Sequence, residues 1–191
     1  MFKIAMFWLA AGFSVWGFYL YARFIVKKII RPNLASWLVW AALDIILLLG
    51  MIFKHSDNSQ IWVATVGACV TVVLCLRYGE IIWGTIDIIC LIGGMVGCAL
   101  WVITKDPLWA IRIPLLANLV GTIPTWTSVY NNPDRENVRT WAPGVISSIC
   151  AMLSVKEPSF ATLAQPIVFA FIAGSIIILI ILRKTMKEKG V

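Results

Sequence analysis

The chain has 191 residues, 61% of them hydrophobic and only 13% charged, about half the charged share of an ordinary soluble domain. That balance excludes a typical water-soluble globular domain and belongs to a chain dissolved in lipid. The net charge of +7 does not mark a nucleic-acid partner, because the basic residues lie at the edges of apolar segments instead of along one face.

A hydrocarbon core about 30 Å thick takes about 17 to 25 mainly apolar residues per helix. In chain order, such runs predict transmembrane helices over residues 4–26, 36–53, 60–77, 81–103, 107–130, 139–155 and 160–182. The first opens Met1-Phe-Lys like a signal peptide, yet it stays apolar to about Val26 without a small-x-small cleavage site and reads as a span. The connecting segments are short and carry breakers: Arg31-Pro32-Asn33, Ser56-Asp57-Asn58, Tyr78-Gly79, Asp106-Pro107, Asn132-Pro133-Asp134 and Glu157-Pro158. Seven crossings put the termini on opposite faces. Of the 16 basic residues, Arg23, Lys27, Lys28, Arg31, Arg77, Arg135, Arg139, Arg183, Lys184, Lys187 and Lys189 share the face of the C-terminus, against Lys3, Lys54, Lys105, Arg112 and Lys156 on the other. The excess predicts a cytoplasmic C-terminus and an N-terminus outside.

The five cysteines, Cys69, Cys75, Cys90, Cys98 and Cys150, all fall inside apolar runs with no C-x-x-C pair, and His55 is the lone histidine. They read as small packing residues, and no metal or cofactor is expected.

Sliding the chain on itself by about 104 residues brings Ser36-Trp37 onto Thr140-Trp141, Gln60 close to Gln165 and Leu76-Arg77 close to Leu182-Arg183. Each marker sits at a matching helix end. The pattern predicts an all-α membrane protein in which residues 1–78 and 105–191 are parallel three-helix repeats and 79–104 is a linker helix, a 3+1+3 arrangement.

The segments Arg31-Pro32-Asn33-Leu-Ala-Ser-Trp37-Leu-Val-Trp40, Gly121-Thr-Ile-Pro124-Thr, Asn132-Pro133-Asp134-Arg-Glu136 and Pro158-Ser-Phe160-Ala-Thr162 resemble those of a bacterial group of PQ-loop-like membrane proteins, distantly similar to SWEET sugar transporters. The resemblance covers nearly the whole chain and implies a seven-helix protein of a bacterial cytoplasmic membrane. Two features depart from it. Pro124-Thr125 stands where PQ-loop proteins carry Pro-Gln, with no proline at the equivalent place near Leu20, and neither the third nor the seventh span holds the asparagine of SWEET pockets. The second departure argues against a sugar.

Several residues can carry function. Pro124, in the second half of the fifth span, breaks the helical ladder, and Gly121 one turn earlier adds freedom; together they are hinge candidates. Pro114, Pro143 and Pro166 lie nearer helix starts and read as packing features. Asp44 sits mid-span, where an ionised carboxylate costs roughly 2.5 to 3.5 kcal/mol on insertion scales. A carboxyl that changes protonation there can couple proton movement to transport. Asp87, nearer the cytoplasmic face, reads as hydrated or paired with Arg77.

Asn118 can donate and accept at once, which suits a hydroxylated or amide-bearing solute. Gln165, Thr122 and Thr125 are weaker candidates of the same type. Among ten tryptophans, Trp8, Trp62, Trp83, Trp101, Trp109 and Trp141 read as headgroup anchors. Trp40 and Trp126 read as walls of a substrate path, and Trp16 as lipid-facing. Asp134, Arg135, Glu136 and Arg139 form a mixed-charge loop, read as solvated, that could instead gate by pairing with Lys27, Lys28 or Arg31.

The expected function is transport of a small polar solute by alternating access between the two units, with proton coupling open at Asp44. A non-transporting receptor or scaffold that binds a protein partner is the alternative. An enzyme is not expected, since there is no zinc motif, no histidine at membrane depth, and Asp44 and Asp87 lie at unequal depths. Two repeats in one chain let a monomer enclose a path, and a homo-oligomer stays open.

Overall fold

In a lipid core a helix satisfies its own backbone groups, so apolar runs of sufficient length fold as helices whatever their neighbours do. A computed structural model describes residues 1–30, 32, 34–78 and 84–188, with the side chains of Ala35, Pro124 and Glu188 outside that description. Its helices are α1 (Phe2–Val26), α2 (Leu34–Phe53), α3 (Ser59–Tyr78), α4 (Thr85–Thr104), α5 (Trp109–Gly121), α6 (Ile123–Asn131), α7 (Val138–Ser154) and α8 (Phe160–Glu188), with a 3-10 turn at Pro133–Arg135 before α7. No strand occurs among the described residues.

Five of these helices, α1, α2, α3, α4 and α8, are long and apolar enough to cross a membrane. Only 22% of the most apolar windows of α1 and α4 is buried by protein, so apolar side chains such as Trp16 and Met95 stand exposed. Lipid is the solvent that such a surface fits. Arg31, Asn33, Gly79, Trp83, Lys189 and the predicted start of the fourth span at 81–83 lie outside the described residues.

The predicted fifth span, 107–130, is two helices and not one. Pro124 is the second residue of α6 and has no amide hydrogen to continue the ladder. The break falls at Thr122, whose amide turns to the Leu119 carbonyl while its hydroxyl donates to the Asn118 carbonyl at 2.8 Å. α8 runs to Glu188, past the predicted end at 182, because Arg183, Lys184 and Lys187 find partners there. The Arg183 guanidinium lies 4.2 Å from the Tyr130 ring centre, and both lysines pair with Asp134.

α1 packs on α7 and α3, α2 on α3, α4 and α5, α4 on α5, and α8 on α5, α6 and α7. One core cluster joins Leu47 and Met51 of α2, Ile61 of α3, and Ile111 and Leu115 of α5; another joins Val129 with Ile172, Ile176 and Ile180 of α8. Because lipid tails are as apolar as leucine, contact fit and interhelical hydrogen bonds hold such helices together.

The α2–α5 crossing depends on Gly50, where an added Cβ would lie 2.9 Å from the Ala110 Cβ and 3.0 Å from its carbonyl carbon. Gly50→Ala is expected to destabilise the fold by about 1 to 3 kcal/mol, as overpacking does. Gly12→Ala, with nothing within 4 Å of the new Cβ, should be neutral or slightly stabilising, since alanine is the better helix former. Thermal unfolding of both variants in one detergent checks the pair; equal losses would mean that the α2–α5 approach is not the cause.

Asp87 is neither hydrated nor set by Arg77. It is 2% exposed, accepts the Gly84 amide at 2.9 Å and the Ser36 hydroxyl at 3.2 Å, and so ties the start of α4 to the start of α2. A carboxylate three residues into a helix meets unpaired amide donors and the positive end of the helix dipole.

Candidate functional site

Residues spaced three, four or seven apart share one face of a helix. Ser14, Phe18 and Tyr21 of α1, Trp37, Trp40 and Asp44 of α2, and Gln60 and Ala64 of α3 are spaced this way. Their faces converge with Asn118 of α5, Thr140, Trp141 and Gly144 of α7, and Phe169 and Ile172 of α8 around a cavity of about 150 Å³. That exceeds the ~30 Å³ share of one water and suits a small organic solute.

Polar groups hold three parts of the wall. In the middle, Asn118 Nδ2 donates to Asp44 Oδ1 at 3.3 Å, and both residues are buried. Among the described residues the Asp44 carboxylate makes no ion pair. At one end, Asn58 Nδ2 donates to Gln165 Oε1 at 2.8 Å, Gln165 Nε2 to Gln60 Oε1 at 3.1 Å, and Gln60 Nε2 to Ser148 Oγ at 2.7 Å. This amide chain links α3 to α7 and α8.

The other end is aromatic. Trp37 and Trp40 meet edge to face at 5.1 Å, Trp40 and Trp141 at 6.4 Å, and Tyr21 and Trp141 at 6.3 Å, while Tyr21 and Trp37 lie 5.0 Å apart. Behind these rings Glu136 accepts the Tyr21 hydroxyl at 3.2 Å and the Trp141 indole N–H at 2.9 Å. The loop reading of Glu136 is thereby corrected. It is buried, and among the described residues its partner across the interface is Tyr21 of α1 and not Lys27 or Lys28, while Arg31 lies outside the described residues.

Burial pushes the Glu136 carboxyl up to about 7 from its ordinary 4.5, with the Trp141 and Tyr21 hydrogen bonds pulling the other way. A carboxyl raised in the folded state binds its proton more tightly there than when unfolded. The stability this contributes is complete below about pH 4.5 and is lost as pH rises through about 7, on the order of 3 kcal/mol in all. Glu136→Gln is expected to flatten the pH dependence of thermal stability between pH 5 and 8, making the variant the more stable protein at pH 8. An undiminished slope in the variant would assign the dependence to another group.

The structure brings three predicted residues together on the wall: Asp44, Asn118 and Trp40. Gly121 stands directly behind, where an added Cβ would lie 3.2 Å from the Trp40 indole nitrogen. Gln165 is placed behind the wall, bonded to Gln60. Trp126 does not reach this cavity; its indole donates to Ser175 at 3.0 Å and its ring meets Phe171, beside a separate and more open hollow with Tyr130 and Ile178. Trp141 belongs to the aromatic end and not to a headgroup anchor. Tyr21, Trp37 and Gln60 are wall residues that the sequence reading does not single out as site residues. Trp37, Trp141 and Gln60 were nevertheless markers of the internal repeat, and that was the signal by which they could have been found.

Among the described residues, no group of three His, Cys, Asp or Glu side chains converges as a metal site would need. Comparison of the chain with protein-family models, with curated proteins and with solved structures gave no match, so the PQ-loop-like resemblance rests on its quoted motifs.

Proposed function

We propose that the chain is a small-solute transporter of seven spans, with α5 and α6 together forming the fifth, in which α1–α3 and α5–α8 rock against each other about the central cavity. The observation that carries this reading is the pairing of cavity residues at one sequence offset. Ser14 and Asn118, Trp37 and Trp141, and Trp40 and Gly144 are each about 104 residues apart, and Ala64 and Phe169 about 105. Helix packing follows the same exchange: α1 on α7 matches α5 on α2, and α2 on α3 matches α7 on α8. Gly17, whose added Cβ would lie 3.4 Å from Pro143, matches Gly121 against Trp40. A cavity on the axis between two like units is where such transporters hold solute.

Contacts between the units stand at both ends of the cavity: Tyr21 and Trp141 with Glu136 at one, and Gln60 with Gln165 and Ser148 at the other. Interhelical hydrogen bonds in membranes are worth around 1 kcal/mol or less, so either set can open while the other holds. The break at Thr122, with Gly121 and Pro124 beside it, is the hinge in this reading. The basic residues support an N-terminus outside and a C-terminus in the cytoplasm of a bacterial membrane.

Protein reconstituted in liposomes, offered sugars, amino acids, nucleosides and small amines in turn, is expected to take up at least one of them saturably above protein-free vesicles. No uptake of any member by folded protein, together with a protein partner that co-purifies in fixed ratio, would replace transport with the receptor or scaffold reading.

A further inference from the structure

The wall of the cavity is chemically one-sided. Asp44 brings the only carboxylate among its described lining residues, and none of them is Lys, Arg or His. The residue about 104 positions on from Asp44 is Ser148, so the second unit supplies a hydroxyl at the matching place. Asn118 is the side-chain donor that the carboxylate meets, and at 3.3 Å it neutralises no charge.

Six of the other lining residues are aromatic. Tyr21, Trp37, Trp40 and Trp141 stand at angles of 54° to 86° to their neighbours, and Phe18 and Phe169 add two more rings. An aromatic face is the negative pole of its ring quadrupole, and rings set steeply to one another make a box that attracts a cation from several sides. Where lipid and protein replace bulk water around a site, such attractions gain strength. An anion meets no cationic side chain among the described lining residues and is repelled by Asp44. A polyhydroxylated neutral solute meets few donors and acceptors on a wall built mostly of rings and aliphatic groups.

We infer that the cavity takes a small organic ammonium cation, with the ammonium head among Tyr21, Trp37, Trp40 and Trp141 and its charge balanced by Asp44. This inference rests on the cavity being the solute site of the proposed transporter, and it names the class of that solute.

Binding is measured with purified protein in an uncharged detergent, by titration calorimetry and thermal shift. The probes are tetramethylammonium, n-butylammonium, choline, and 3,3-dimethyl-1-butanol as the uncharged isostere of choline, with a hexose and a neutral nucleoside beside them. At least one ammonium probe is expected to bind, and the isostere to bind about tenfold more weakly or not at all. Asp44→Asn should weaken the cation about thirtyfold, as loss of a buried charge partner does. Trp40→Ala should weaken it severalfold, with Trp40→Phe recovering part of the loss because it restores a ring face. No binding by any of the three cations, or equal binding of choline and its isostere, overturns the inference. The same cations are then offered to proteoliposomes. Binding without uptake defeats the transport reading and leaves the site's chemistry standing, whereas uptake of an uncharged solute with no cation binding does the reverse.

Discussion

Asp44→Asn is expected to give a protein that unfolds at a higher temperature than the parent and no longer moves its solute. The carboxylate sits in the middle of α2, buried, and receives a side-chain hydrogen bond from Asn118 but no ion pair among the described residues. An ionised acid in such surroundings costs roughly 2.5 to 3.5 kcal/mol on insertion scales. The amide keeps the oxygen that Asn118 bonds and removes the charge, so roughly 1 to 3 kcal/mol of stability should return. Function should move the other way, with uptake falling by about thirtyfold or more, if the Asp44 charge holds the solute as proposed. Opposite signs in stability and activity are the mark of a group kept for function against the interest of the fold. Paired unfolding and uptake measurements decide it. A variant less stable than the parent would make Asp44 a structural acid satisfied by its neighbours, and an active variant would remove it from the solute path.

Gln165→Leu should cause the largest loss of stability. Gln165 is fully buried and is the middle link between Asn58 and Gln60. Leucine fills a similar volume but neither accepts from Asn58 Nδ2 nor donates to Gln60 Oε1. Each buried group left without a partner costs about 1 to 3 kcal/mol, so the variant should lose about 2 to 5 kcal/mol and fold poorly. Pairing it with Gln60→Leu removes one of the two orphans and should cost less than the sum of the single changes, with a coupling of about 0.5 to 3 kcal/mol. Additive losses would show that the amide chain does not act as a unit. This end of the cavity is held by buried amide hydrogen bonds, whereas at the aromatic end burial raises the Glu136 carboxyl to about 7, so pH is expected to act there.

The placement of the helices was legible in the apolar runs, because hydrophobic length alone satisfies a lipid core. The ends of α2, α3 and α7 differ from the predicted ones by no more than a turn. The fifth run looked continuous because Thr122 and Pro124 interrupt the hydrogen-bond ladder without interrupting the hydropathy. Three of the wall residues, Asp44, Asn118 and Trp40, were legible for one reason: a polar or amphipathic side chain at mid-span demands an explanation that an apolar one does not.

The sequence by itself determined that this is a chain of long apolar helices, with breakers and positive charge gathered at their ends and markers recurring about 104 residues apart. Only the tertiary structure decided which faces meet. It turned Trp141 inward and Trp126 away from the cavity, buried Glu136 against Tyr21, and made Asp87 the tie between α4 and α2. In water a helix shows its buried side by contrast with a polar one. In lipid both sides are apolar, so the sequence carries little of that contrast and the facing of each helix is settled by fit and by a few hydrogen bonds between helices.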